Sequence, residues 1–240
     1  MLYNTFLVKS YEVSKDKIVT KISQLWNPLT EKEKLLLLRN ITIKKYRKNE
    51  VIYHGLDVPG QLMFLIEGKA KVFKDGVSGR NQIIRTIKPG EFFGFRAYFA
   101  KEKYKTAATA FETATVAFFP MDLIVEMMKE NYHITFYFIS YLSSELGYSD
   151  DRTVNLTQKH IRARLAEALL SLKKSYGVED DNMTLNILMS REDLANMSNM
   201  TTSNAIRTLS SFADENLISI DGRKIMLLEI EELTKICQMG

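Results

Sequence analysis

The hydrophobic and polar positions of this chain change period twice. From Leu29 to Asn40 the spacing predicts a short helix, with Thr30 as its cap, Glu31 and Glu33 in the first turn, and Leu35 to Leu38 behind them. The helical period is then lost. Short apolar or alternating runs occupy 41–43, 50–53, 62–66, 70–73, 82–87 and 115–119. Asn49, His54-Gly55, Pro59-Gly60, Glu67-Gly68, Asp75-Gly76, Ser78-Gly79 and Pro89-Gly90 punctuate them. Short strands at such spacing predict an antiparallel, jelly-roll-like β-roll, and no helix-length segment interrupts them to make a parallel sheet.

After Pro120 the helical period returns. A short helix is expected over 121–129 and a long one from about Asn131 to Asn155. On the long helix Tyr132, Phe136, Ile139, Ser143 and Leu146 follow the 4-3-4-3 spacing of a coiled-coil seam, while Ile134, Phe138, Tyr141 and Leu142 form a second stripe. Two apolar faces require two partners: the helix's own β-domain, and the same helix of a second chain in a homodimer. From Gln158 another helix carries Ile161, Leu165, Ala168, Leu169 and Leu172 on one face and ends at Gly177. An acidic loop, two short helices and two strands flanking Asp221-Gly222 follow, and that dipeptide favours a type I′ hairpin turn. This is the order of a winged helix-turn-helix. The fold class expected is therefore α+β, with a β-roll over 1–130, a dimerisation helix and linker over 131–157, and a winged helix-turn-helix over 158–240.

Within the last unit, "MSREDLANMSNMTTSNAIRTLSSF" (189–212) carries the candidate chemistry. Ser190 with Asp193 has the form of a capping box, Ser198-Asn199-Met200 makes a turn, and Thr201 caps the next helix. Ala205, Leu209 and Phe212 mark the buried stripe of that helix, which leaves Thr202, Ser203, Asn204 and Arg207 outward. No acid stands between Asp193 and Asp214. Such a face suits a recognition helix in the DNA major groove, where Arg can bond guanine bidentately, Asn can pair with adenine, and hydroxyls adapt to either. Ser190 and Arg191 stand where phosphate contacts would fix docking, and Arg223 and Lys224 would form a basic wing tip.

Bulk composition changes this picture little. The 240 residues are 45% hydrophobic and 26% charged, as in an ordinary globular protein. The net charge of +4 only weakly favours a polyanion, and 158–240 is itself acidic, with ten Lys/Arg against twelve Asp/Glu. One cysteine, Cys237, excludes an internal disulfide and a cysteine-held iron–sulfur cluster. The patch Phe6-Leu7-Val8 is too short for a signal peptide, and no apolar run approaches a membrane span, so a cytoplasmic protein is expected. No P-loop, G-x-S-x-G or H-E-x-x-H motif marks an enzyme.

These residues resemble the Crp/Fnr transcription regulators. The likeness is carried by "PGEFFG" (89–94), the long helix, "RARLAEALL" (162–170), "MSREDLA" (189–195) and "LSSFADENLISI" (209–220). It implies a cyclic-nucleotide-binding-type roll, a homodimer on an inverted-repeat site in double-stranded DNA, and base reading by Thr202, Ser203 and Arg207. Many relatives place a Glu where Thr202-Ser203 stand, so the family's usual half-site does not transfer. RNA polymerase is a further partner of activators, and no residue here marks its surface.

The family's nucleotide cassette falls on Gly94, Phe95, Arg96, Lys105 and Thr106. Phe95 replaces the ribose-binding carboxylate, and Lys105 lacks an Arg fork. Losing one charge-assisted hydrogen bond costs roughly 1.5–3 kcal/mol, about ten- to over a hundredfold in affinity. Cyclic AMP in the usual pose is thus disfavoured. Three readings stay open for the roll: an unidentified small-molecule effector, with Arg96, Lys105 and Thr106 receiving an anion; haem held by His54, His133 or His160; or no ligand. A ligand-binding module acting on a protein partner, with a purely structural helix-turn-helix, is the rival from outside this class.

Overall fold

The structure, a computed structural model, describes residues 15–76 and 79–239. The apolar patch Phe6-Leu7-Val8 and the turn residue Ser78 lie outside them. The chain opens with α1 (Lys15–Leu25) and α2 (Glu31–Asn40), then builds the roll from β1 (Thr42–Tyr46), β2 (Val51–Tyr53), β3 (Gln61–Glu67), β4 (Ala70–Asp75), β5 (Asn81–Ile87), β6 (Phe92–Phe93), the single-turn α3 (Arg96–Phe99), β7 (Ala107–Ala110) and β8 (Ala114–Pro120). There follow α4 (Met121–Glu130), α5 (Tyr132–Gln158), α6 (Ile161–Tyr176), α7 (Arg191–Met197), α8 (Thr202–Asp214), the hairpin β9 (Ile218–Asp221) and β10 (Lys224–Leu227), and α9 (Ile230–Gln238).

Two four-stranded antiparallel sheets, ordered β1-β8-β3-β6 and β2-β7-β4-β5, make the roll. Strand period explains why β3 reads as a continuous apolar run. Leu62 and Phe64 point to one side, into a cluster with α1, α2, α4 and α5; Met63 and Leu65 point to the other, between the sheets. β8 does the same with Ala117 and Phe119 against Val116 and Phe118. A strand covered on both faces loses the alternation of a half-exposed one. On α2 the Thr30 cap forms, and Glu33 completes a reciprocal capping box by accepting from the Thr30 amide at 2.7 Å.

Five elements were absent from the sequence expectation: α1, β6, α3, β7 and α9. α1 supplies Ile18, Val19 and Ile22, and Trp26 just beyond it is fully buried, stacked on Phe92 at 5.0 Å. β7 is an Ala-rich strand of weak intrinsic propensity, made a strand by its neighbours β2 and β4. The hairpin turn also differs. Asp221 pairs with Lys224, so the two loop residues are Gly222 and Arg223. Gly222 takes φ +55° and Arg223 stays out of the left-handed region, which is a type II′ turn rather than the expected I′.

α5 is 27 residues, about 40 Å long. Ile134 and Phe138 are fully buried against the roll, with Tyr141 and Leu142 packed beside them. A buried side chain of this kind contributes roughly 1.5–3 kcal/mol. On the opposite side Tyr132 (70% exposed), Phe136 (66%), Ile139 (55%) and Leu146 (64%) form one uncovered stripe, with Ser143 exposed among them. Helices α6 to α9 and the hairpin share a core that includes Leu165, Leu169, Leu194, Leu209, Phe212 and Leu233. Ile83 and Phe111 of the roll join that same core, so the two units are packed on each other rather than merely linked.

Candidate nucleic-acid interface and effector roll

Ser190 caps α7, its Oγ accepting from the Asp193 amide at 3.0 Å. The Asp193 carboxylate does not return to the Ser190 amide, as the expected capping box requires. It accepts from the Ser190 hydroxyl at 2.7 Å and pairs with Lys71 on β4. Asn199 turns the chain at φ +48°, and Thr201 Oγ1 caps α8 by accepting from the Asn204 amide at 3.2 Å. Ala205, Thr208, Leu209 and Phe212 are buried, which orients the helix. Thr202, Ser203 and Arg207 consequently stand exposed together, with Asn204 half-buried beside them.

Arg207 donates to Asn204 Oδ1 at 2.7 Å, one turn back, so its guanidinium is drawn toward the helix start with donors to spare. Ile206, 46% exposed on the same face, was missed by sequence reasoning because an apolar helix residue reads as core. Such a side chain can meet a thymine methyl. The first acid in α8 is Asp214, at the far end. Glu215 beyond it is held by Arg162, at 2.7 Å, and by Ser211, which keeps its carboxyl down at about 2.

Most of the residues expected at phosphate contacts have partners within the chain. Arg191 spends one nitrogen on the Gly222 carbonyl at 3.0 Å, joining α7 to the wing turn. Lys224 pairs with Glu179 at 2.9 Å. Ser190 is satisfied by Asp193, and with Arg223 it lines a cleft of about 400 Å³ between wing, α7 and strands β4 and β5. The reason is that the roll grips α7. Besides Lys71–Asp193, Gln82 Nε2 donates to the Asn196 carbonyl at 2.6 Å, and Arg152 on α5 donates to the carbonyls of Ile83, Ile84 and Met197. Arg207, by contrast, is bonded to a residue of its own exposed helix face.

The residues of the nucleotide cassette are engaged with one another and with the core. Gly94 sits at φ +85°, and a Cβ there would meet the Met63 thioether at 3.2–3.3 Å and the Tyr104 hydroxyl at 3.3 Å. Tyr104 stacks on Tyr53 at 4.1 Å, and Tyr53 shares a 3.2 Å hydrogen bond with Thr106. Burial pushes the Tyr104 phenol up. Phe95 is not at a ligand surface: it is buried edge-on against Phe138 (4.9 Å) and Tyr141 (5.5 Å). Arg96 and Lys105 both turn to Glu102, whose carboxyl they hold below the usual range, Lys105 more than Arg96. The expected anion contacts are thus answered by the chain's own carboxylate. Of the histidines, His54 and His160 are exposed, while His133 packs on Tyr132 and lies 3.3 Å from Asn27 Nδ2.

Comparison with known proteins follows the same division. A cyclic nucleotide-binding domain model matches residues 43–131, and a Crp-like helix-turn-helix domain model matches 163–236. The chain belongs to the Crp/Fnr family of transcription regulators. It is 26% identical over 219 residues to the anaerobic regulatory protein of Haemophilus influenzae, covering 90% of this chain and 85% of that protein. It is 23% identical to the cAMP-activated global transcriptional regulator CRP of Salmonella typhimurium, covering 85% and 97%. The structure of FixK2 from Bradyrhizobium japonicum has the same fold, with TM-score 0.74 at 22% identity over 82% of this chain and 96% of that one. This Crp/Fnr protein is accordingly a DNA-binding transcription regulator with a cyclic-nucleotide-binding-like domain. Among the described residues no helix is long and apolar enough to cross a membrane.

Proposed function

We propose that the protein is a cytoplasmic homodimer that binds an inverted-repeat DNA site, one α8 entering the major groove at each half-site. The observation that carries this is the shared exposure of Thr202, Ser203 and Arg207 on an acid-free first turn and a half, backed by a fully buried stripe. Arg207 reads a guanine, the hydroxyls of Thr202 and Ser203 adapt to neighbouring bases, and Ile206 favours a thymine methyl. The uncovered stripe on α5 takes the same stripe of a second copy, because an apolar run this contiguous is costly to leave in water. Two recognition helices then stand about one helical turn of DNA apart, roughly 34–36 Å.

The roll senses a signal other than cyclic AMP in the usual pose. It acts through the packing of α5, whose inner face belongs to the roll and whose outer face sets the dimer. Selection from genomic fragments followed by footprinting tests the reading. A symmetric protected site with half-sites one turn apart is the expected result. Uniform binding to all fragments at physiological salt would overturn it.

A further inference from the structure

At the elbow where β5 meets α5 and α6 lies a cleft of about 250 Å³. Its inner wall is cationic. Arg85 is half-buried on β5, donating to Glu145 at 3.0 Å and to the Phe92 carbonyl at 3.3 Å. Arg152, on α5, donates its hydrogen bonds to main-chain carbonyls: those of Ile83 and Ile84, and that of Met197 at 3.4 Å. Among the described residues it has no ion-pair partner, and burial pulls its pKa down accordingly. The carboxylate that acts on it, Glu167, is already bonded to Asn155 at 2.7 Å and to Lys159 at 3.2 Å, so this half-buried guanidinium is only partly compensated.

The outer wall adds free donors. Lys88 and Lys174 are exposed at the rim, and Ser171 and Ser175 stand one turn apart on the same side of α6. Among the described residues, neither ammonium and neither hydroxyl has a protein partner. Two carboxylates line the cleft against four cations. Glu145 is occupied by Arg85, and Glu91 accepts from the Lys88 amide at 3.1 Å. The balance is a net charge of about +2 in a concave, partly desolvated place, where fields are focused. None of the exposed α5 stripe (Tyr132, Phe136, Ile139, Ser143, Leu146) lines it, although Tyr148 of the same helix does.

We infer that this cleft, and not the Gly94–Thr106 cassette, binds a small phosphate- or carboxylate-bearing anion. The anion sits on the Arg152 edge, with Lys88, Lys174 and the two serines closing over it. Because its walls come from β5, α5, α6 and Met197 of α7, occupancy fixes the angle between the roll and the helix-turn-helix. This deepens the proposed reading by naming the ligand class of its signal, and only the coupling to DNA rests on that reading.

Isothermal titration of the full chain with inorganic phosphate and with citrate, against sodium chloride at matched ionic strength, tests the site. Saturable binding of one anion per subunit is expected, at least tenfold weaker in Lys88→Met/Lys174→Met and unchanged in the distant surface control Lys17→Met. Phosphate-only or citrate-only binding assigns the anion to one class. No saturable binding of either, or equal affinity in the double variant, would overturn the inference. A mobility shift on the selected DNA runs in parallel. Loss of specific DNA binding with anion binding intact sinks the regulator reading alone, and the reverse sinks the cleft alone.

Discussion

At the start of α8, Thr202, Ser203, Ile206 and Arg207 are exposed among the described residues. At Gly94 the opposite holds: Met63 and Tyr104 press against its missing side chain, and Phe95 has turned into the core. Both places are where this family meets a nucleic acid or a nucleotide. The contrast teaches that two matching positions of one family can differ in kind: the α8 face is exposed, whereas Phe95 has become hydrophobic packing. A groove-reading face needs only orientation and exposure. A nucleotide cassette needs an unfilled interior, which aromatic substitution removes.

The sharpest way to break that contrast is to restore the carboxylate. Phe95→Glu should not create a cyclic nucleotide site. It should destabilise the protein by about 4 kcal/mol or more, since it removes a buried ring and buries an acid among Phe138, Phe99 and Tyr141. Urea unfolding and cyclic AMP titration check this, and a stable variant that binds the nucleotide would erase the contrast. Phe136→Glu, on the exposed side of α5, should leave monomer stability within about 0.5 kcal/mol. It should abolish the dimer in sedimentation and weaken DNA binding about a hundredfold, ~2.7 kcal/mol.

Arg207→Ala should cost roughly 1–3 kcal/mol of DNA affinity and relax a single base position, read by binding selection. An equal loss on every sequence would make Arg207 a phosphate contact. The smallest effect belongs to Glu215. Its carboxyl is lowered from 4.5 to about 2 by Arg162, so its contribution is whole above pH 4.5 and lost as pH falls toward 2. Glu215→Gln should lower the Tm slightly at pH 7, and its deficit against wild type should vanish by about pH 2. The pair is exposed, which holds it to about 0.2–1 kcal/mol.

Much of the architecture was legible because it rests on local period. The two stripes of α5 separate as their spacing requires: Ile134 and Phe138 are buried, Phe136 and Ile139 exposed. The α8 face followed from its buried stripe in the same way. What failed was what depends on distant neighbours. β7 has no strand signal of its own, and the two-residue pairing of Asp221 with Lys224 moved the turn onto Gly222-Arg223. Arg191 and Lys224 looked like free surface cations until Gly222 and Glu179 were found beside them. The cleft with Arg152 had no signal at all, because β5, α5 and α6 are remote in sequence.

The order of residues alone determined the succession of roll, long helix and helix-turn-helix, and the acid-free start of α8. Those are set by side-chain period and helix capping, which act within a few residues. Tertiary structure alone decided that Phe95 is buried and that Arg96 and Lys105 meet Glu102, that Lys71, Gln82 and Arg152 hold α7 to the roll, and that a cationic cleft lies at the elbow. Packing and electrostatic compensation depend on which atoms meet in space, and chain order does not encode that pairing locally.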